Sequence, residues 1–249
     1  MLSGPLLVFD FDGVLVDGMA EYWWSSRQAA CLLEPGLVLP EQAPAAFARL
    51  RPLIHQGWEM VLVAAELGRP DFDLAGFEAD YSGSISRALA RSGGQHQPLQ
   101  SALEDVRRQA IATVRPQWLA LHRPYPGVKE RLGALATEGA DWAVLTTKGA
   151  AFAAELLAAE QLAPLRLFGH EQGSKPAVLL QLRELRRPLW FIEDRRPTLE
   201  TVRATPGLEQ VRCFLAAWGY LKPEDRSGLP DGITLLEPGA FQAPLAIWP

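Results

Sequence analysis

The sequence predicts an α/β protein: a doubly wound, Rossmann-like parallel sheet with an all-helical cap domain inserted into it. Three observations carry this. Short apolar runs of strand length open the chain and recur in its second half. Helical patterns separate the later runs, and strands that alternate with helices imply βαβ units and a mostly parallel sheet. The stretch from about residue 18 to residue 125 breaks the alternation, with helical candidates and no convincing strand.

The first strand is Leu6-Leu7-Val8-Phe9, apolar at every position, as expected for a strand covered on both faces. Helical candidates follow over Ala20 to Leu33, roughly Phe47 to Leu67, Phe72 to Ala90 and Leu99 to Leu121. Pro35-Gly36, Gly68-Arg69-Pro70 and Ser92-Gly93-Gly94 punctuate them, and Pro52 and Pro116 mark helix starts or kinks. Arg123-Pro124-Tyr125-Pro126-Gly127 reads as the return linker. Then come a helix over Val128 to Glu138, a strand over Trp142 to Leu145, a helix over Ala150 to Gln161 and a weaker strand over Leu165 to Phe168. A helix over Pro176 to Arg187 precedes the strand Leu189 to Ile192, and a helix over Pro197 to Ala204 precedes the strands Val211 to Leu215 and Ile233 to Leu236. The expected division is a core of residues 1–17 and 126–249 and a helical domain of residues 18–125.

Bulk composition narrows the function classes. Hydrophobic content of 48% and charged content of 21% over 249 residues are ordinary for a soluble globular protein. A net charge of -5 gives no basic footprint for nucleic acid. The apolar runs fall short of a membrane span, and the first of them is cut by Asp10 and Asp12, so neither a membrane anchor nor a signal peptide is read. Cys31 and Cys213 lie far apart without metal-ligand spacing, which fits reduced thiols and a cytoplasmic location. Oligomeric state is left open between monomer and homodimer.

The strand ends carry the chemistry. Asp10 and Asp12 close the first strand with the spacing of same-side neighbours on extended chain. Two like charges held so close call for a divalent cation or a shared proton. The strand at Trp142 ends in Thr146-Thr147-Lys148-Gly149, the strand at Leu189 ends in Glu193-Asp194, and Lys175 stands at a helix start. In a parallel sheet these groups converge on one rim, where open α/β sheets bind their ligands. Asp10, Glu193 and Asp194 are hard oxygen donors suited to Mg2+, and no Cys/His cluster supports zinc. Lys175 and the cation can neutralise a phosphoryl group whose oxygens Thr146 and nearby backbone N–H groups hold. Such a set suits phosphoryl transfer, where positioning and charge neutralisation supply most of the catalysis.

The residues Asp10-Phe11-Asp12-Gly13-Val14-Leu15-Val16-Asp17, then Thr146, Lys175 and Glu193-Asp194, resemble the motifs of the haloacid dehalogenase superfamily in order and context. The resemblance covers residues 1–17 and about 126–215. The helical insertion is similar in position and type to the cap of its phosphoglycolate phosphatase and β-phosphoglucomutase branch. Phe191 to Arg195 and Trp218-Gly219-Tyr220 also resemble plant and cyanobacterial members. The resemblance implies Asp10 as nucleophile forming an aspartyl-phosphate and Asp12 as general acid and base. It implies Thr146, Thr147, Lys175 and Gly13 as substrate-binding positions, Lys175 also holding Asp10 in register. Mg2+ would be bound by Asp10, the Asp12 backbone carbonyl, Glu193 and Asp194. The expected activity is hydrolysis of a small phosphorylated metabolite beneath a cap that selects it. Asp12 argues against a dehalogenase, which has no leaving alcohol to protonate. Thr198 departs from an aspartate that many relatives carry there. A phosphomutase and a catalytically silent phosphate-binding or regulatory protein are the alternatives.

Other polar residues read as structural. His55, His96, His122 and His170 are scattered, and only His170, close to Lys175, invites attention. Tyr22-Trp23-Trp24 reads as core, and Arg49, Arg51, Arg87 and Arg91 as solvated helix faces. Arg195 and Arg196 follow the acidic pair and read as helix surface at least as well as a second anion site.

Overall fold

The computed structural model describes residues 4–249, which divide into two compact units, residues up to 17 with 123–249 and residues 18–122. The first unit is built on a six-stranded sheet. Its strands are β1 (Leu6–Phe9), β4 (Asp141–Leu145), β5 (Arg166–Phe168), β6 (Leu189–Glu193), β7 (Arg212–Ala216) and β8 (Ile233–Leu236), in spatial order β5-β4-β1-β6-β7-β8. Every neighbouring pair is parallel. Leu6 to Phe9 are fully buried, and each side chain so removed from water contributes about 1.5–3 kcal/mol. The helices of this unit are α7 (Val128–Leu135), α8 (Ala150–Ala159), α9 (Lys175–Leu182), α10 (Arg196–Ala204) and α11 (Pro238–Gln242). Val178, Leu179 and Leu182 from α9 and Leu199 and Val202 from α10 pack on Leu6, Val8, Phe191 and Leu215 in one apolar cluster.

Strand order decides where the site falls. From β1 the sheet grows outward through β4 to β5, and on the other side of β1 through β6 to β8. The order therefore reverses at β1, and the carboxyl end of a strand at such a switch point is where these sheets bind ligands. Phe9 pairs in register with Val144 on one side and Ile192 on the other, which brings the ends of β1, β4 and β6 level.

Two short strands appear where the sequence shows only a motif tail and a linker. These are β2 (Val16–Asp17) and β3 (Arg123–Pro124), paired antiparallel with Val16 opposite Pro124 and Asp17 opposite Arg123. Two residues are too few to display a strand periodicity.

The second unit holds α1 (Met19–Leu33), α2 (Ala45–Leu50), α3 (Gly57–Leu67), α4 (Leu74–Ala79), α5 (Tyr81–Arg91) and α6 (Gln97–Ala120). The single helix expected over Phe47 to Leu67 is two, divided by a 3-10 turn at Arg51–Leu53 that contains Pro52. The helix expected over Phe72 to Ala90 is also two. Asp73 caps α4 by accepting from the Ala75 N–H (3.1 Å), and Asp80 caps α5 by accepting from the Gly83 N–H (3.1 Å). Side-chain caps of this kind compete with helix continuation. α6 is kinked, with Val114 off helical geometry just before Pro116. At its centre the unit buries a bidentate ion pair, Arg107 Nε to Glu21 Oε1 at 2.7 Å and Nη2 to Oε2 at 2.8 Å, which ties α6 to α1. Trp118 Nε1 also donates to Glu21 at 3.4 Å, and Ser25 Oγ bonds the same carboxylate. Among the described residues no helix is long and apolar enough to cross a membrane.

Candidate active site

The end of β1 runs directly into the site. The Asp10 N–H donates to the Ile192 carbonyl (2.8 Å), so the sheet ladder carries Asp10 one residue past β1. The chain then turns: Val16 N–H donates to Phe11 O (3.0 Å) and Gly13 N–H to Val16 O (2.9 Å). Gly13 has φ +87, and a Cβ there would lie 2.0 Å from Asp194 Oδ2. Glycine is thus required twice over, for the left-handed backbone and for the approach of that carboxylate.

Five predicted side chains meet here. Asp10 and Asp12 are 7% and 9% exposed, Lys175 8%, Glu193 0% and Asp194 2%. Lys175, the first residue of α9, is delivered by a turn in which Ser174 Oγ caps the helix through the Ala177 N–H. Its ammonium lies 2.8 Å from Asp10 Oδ1 and 2.5 Å from Glu193 Oε2. Glu193 Oε1 accepts the Asp194 N–H (3.1 Å) and the Arg195 N–H (3.0 Å), so both its oxygens are engaged. Asp194 Oδ2 accepts the Tyr220 N–H at 2.8 Å.

The electrostatics follow from burial. Asp10 is pushed up to about 7, first by loss of solvation and next by the Glu193 charge, with Lys175 opposing. Burial, then Asp194, also raises Glu193 against the pull of Lys175. For Lys175 burial works against the charge, but Asp10 and Glu193 outweigh it and hold the ammonium above the ordinary lysine range.

Asp10, Glu193 and Asp194 each bring a carboxylate oxygen within 4.8 Å of the other two. Fully ionised, the three carboxylates would outnumber the one Lys175 ammonium by two charges in a buried pocket of oxygen donors. Asp10 Oδ1 is buried and meets the Lys175 ammonium at 2.8 Å. An all-oxygen donor set of three buried carboxylates with a single ammonium among them fits a hard divalent cation.

The remaining predicted residues fall around this cluster. Thr146 is 3% exposed; its N–H donates to Phe168 O (2.9 Å), and its Oγ1 accepts the Lys148 N–H (3.0 Å), which leaves the hydroxyl proton to donate elsewhere. Thr147 is exposed. The Gly13 N–H is spent on Val16 O, so that glycine serves the turn. His170 is 41% exposed at its side chain and faces Glu171. Thr198 lies in α10. Arg49 pairs with Glu78, Arg87 with Asp80 and Arg91 with Glu66, all within the helical unit, and Arg51 lies over the Tyr22 ring.

One further residue belongs to the site. Lys148 is 5% exposed, and its ammonium lies 3.5 Å from Asp12 Oδ1. Its place two residues after Thr146, just past the end of a buried strand, is the signal in the sequence that points to it.

No protein-family model matches the sequence, and no curated protein matches it. The fold is similar to that of many solved structures. A predicted phosphatase from Clostridium acetobutylicum superposes with a TM-score of 0.58 at 17% identity, over 94% of each chain. A predicted phosphoglycolate phosphatase from Haemophilus somnus gives 0.58 at 18% identity, over 94% of this chain and 95% of that one. A haloacid dehalogenase-like hydrolase from Streptococcus pneumoniae gives 0.57 at 16% identity, over 94% and 95%. At these identities the likeness is one of fold: a Rossmann-like α/β core with a helical insertion, as in haloacid dehalogenase-like hydrolases.

Proposed function

We propose that this chain is a phosphatase of the haloacid dehalogenase superfamily that hydrolyses a small phosphate monoester with Mg2+. One observation carries the reading: Asp10 stands buried at the end of the central strand, 2.8 Å from the Lys175 ammonium and inside the three-carboxylate cluster. Asp10 is the nucleophile. Its carboxylate oxygen bonds to phosphorus as the bond from phosphorus to the ester oxygen breaks, and Asp12 gives that oxygen a proton. Asp12, now ionised, takes a proton from water as the water oxygen bonds to phosphorus and the aspartyl-phosphate bond breaks. The products are the alcohol and inorganic phosphate, and both aspartates return to their starting states.

Lys175 holds Asp10 in line and offsets phosphoryl charge, and Glu193 fixes Lys175. Thr146 donates its hydroxyl to a phosphoryl oxygen. Asp10, Glu193 and Asp194, with the Asp12 backbone carbonyl, would hold Mg2+, which would supply neutralisation of phosphoryl charge. Asp12 favours an ester whose leaving oxygen needs a proton. The test is phosphate release from a panel of alkyl phosphates, with Mg2+ and with chelator. Release that needs Mg2+ and disappears in Asp10→Asn supports the reading; a panel without release, or release that persists in Asp10→Asn, overturns it. Conversion of a sugar phosphate to an isomer without net phosphate release would identify a phosphomutase instead.

A further inference from the structure

The segment that follows β7 contacts both Asp194 and the turn after Asp10. β7 pairs with β6 so that Leu215 is in register with Glu193, and residues 217–220 therefore leave the sheet beside Glu193 and Asp194. Trp218 Nε1 donates to the Val14 carbonyl at 2.9 Å. The Tyr220 N–H donates to Asp194 Oδ2 at 2.8 Å, and the Tyr220 hydroxyl donates to Asp17 Oδ1 at 2.6 Å. Between them Gly219 lies so close that a Cβ would stand 2.2 Å from Asp194 Cβ and 2.5 Å from the Gly13 carbonyl oxygen. Three successive residues thus touch the turn after the nucleophile at Gly13, Val14 and Asp17, and two of them, Gly219 and Tyr220, touch Asp194 as well.

We propose that Trp218-Gly219-Tyr220 is the positioning element of the carboxylate cluster, setting Asp194 against the turn that carries Asp10 and Asp12. The proposal rests on the reading of Asp194 as a cation ligand. None of the three side chains offers a carboxylate, so their role is to place one. The Tyr220 N–H occupies one oxygen of Asp194 and thereby fixes the carboxylate's rotation. Trp218 and the Tyr220 hydroxyl anchor the turn at two points, and Gly219 permits the approach. Partners of this kind, one step removed from the ligand oxygens, set ligand orientation and so cation affinity.

The experiment is direct binding of Mn2+ to the full chain, read by electron paramagnetic resonance of the free ion, with thermal melting in parallel. Mn2+ serves as the spectroscopic stand-in for Mg2+ at an oxygen site. Gly219→Ala is expected to weaken binding about tenfold or more by displacing Asp194, with Tyr220→Phe weakening it less because the hydroxyl bond to Asp17 goes while the backbone N–H bond to Asp194 stays. Leu221→Ala is the control, since it trims the partly buried packing next in the chain and leaves the contacts to Asp194 in place. It is expected to lower the melting temperature without changing Mn2+ affinity. Wild-type affinity in Gly219→Ala, or equal weakening in Leu221→Ala, overturns the proposal while leaving the cation site intact. Failure of the wild type to bind Mn2+, with Asp194→Asn indistinguishable from it, overturns the cation reading and the proposal together.

Discussion

Lys175 lies 2.5 Å from Glu193, a carboxylate that is completely buried and takes two backbone N–H groups on its other oxygen. Glu193 is therefore the post against which the lysine is set, and the lysine in turn meets Asp10 at 2.8 Å. The order of these contacts assigns separate duties to two acids adjacent in sequence. Glu193 fixes a cation that the chain supplies, and Asp194 faces the turn behind Asp10.

Glu193→Gln keeps the shape and the backbone acceptor but removes the charge facing Lys175. Steady-state phosphate release should show kcat reduced about tenfold to a hundredfold, in the range expected when a partner that orients a site residue is lost. An unchanged kcat would remove Glu193 from that duty.

Lys148 and Asp12 should act as one unit, because the Lys148 ammonium lies 3.5 Å from Asp12 Oδ1 in a buried pocket. Lys148→Met should lower kcat about tenfold in the wild-type background and have little further effect once Asp12 is asparagine. Additive losses in the double variant would show that Lys148 acts on something other than Asp12.

Asp10 should make metal-free protein less stable as pH rises. Its carboxyl titrates near 3.8 when solvated and about 7 in the folded chain, chiefly because of burial. Between those values the folded state holds a proton that the unfolded chain has released, so stability falls with increasing pH. Below about pH 4 both states are protonated, and above about 7 both are ionised and the loss is complete. In chelator, Asp10→Asn should escape this loss, and its melting temperature should gain on wild type by about 5 °C or more from pH 4 to pH 8. A gap that stays constant over that range would contradict the burial argument.

Arg107 should be costly to remove. Its guanidinium is 6% exposed and meets a fully buried Glu21 in bidentate contact. Arg107→Leu leaves that carboxylate without its cation and should cost about 3 kcal/mol or more in a denaturant titration. Arg107→Met combined with Glu21→Gln should recover most of it. A double variant no better than the single would mean that packing, rather than the stranded charge, sets the cost.

Much of the core could be read from the chain because its signals are local. Leu6 to Phe9 followed by Asp10, and Leu189 to Ile192 followed by Glu193, each announce a buried strand with an acid at its end. Lys175 at a helix start is equally local, and the sheet brings the three together. Lys148 escaped because its meaning comes from Asp12, which is far away in sequence. Trp218-Gly219-Tyr220 stands out in the sequence as a resemblance, but the role of Tyr220 is not legible there, because its bond to Asp194 is made by its backbone N–H, which no residue type advertises. The divided helices at Arg51–Leu53 and Asp80 went unread because apolar spacing continues across both breaks while local turn chemistry ends the helix. The β2–β3 pair was hidden by its own brevity.

That pair has a consequence for how such chains diversify. Asp17 and Arg123 face each other across a single rung of the ladder, so the main chain departs from the sheet and rejoins it at almost the same spot. Whatever is spliced between those two residues places no demand on strand order or register. A loop of a few residues, or a wholly different module, satisfies the same two anchor points, and recombination at this seam can exchange the insert while the strands of the core sheet stay untouched.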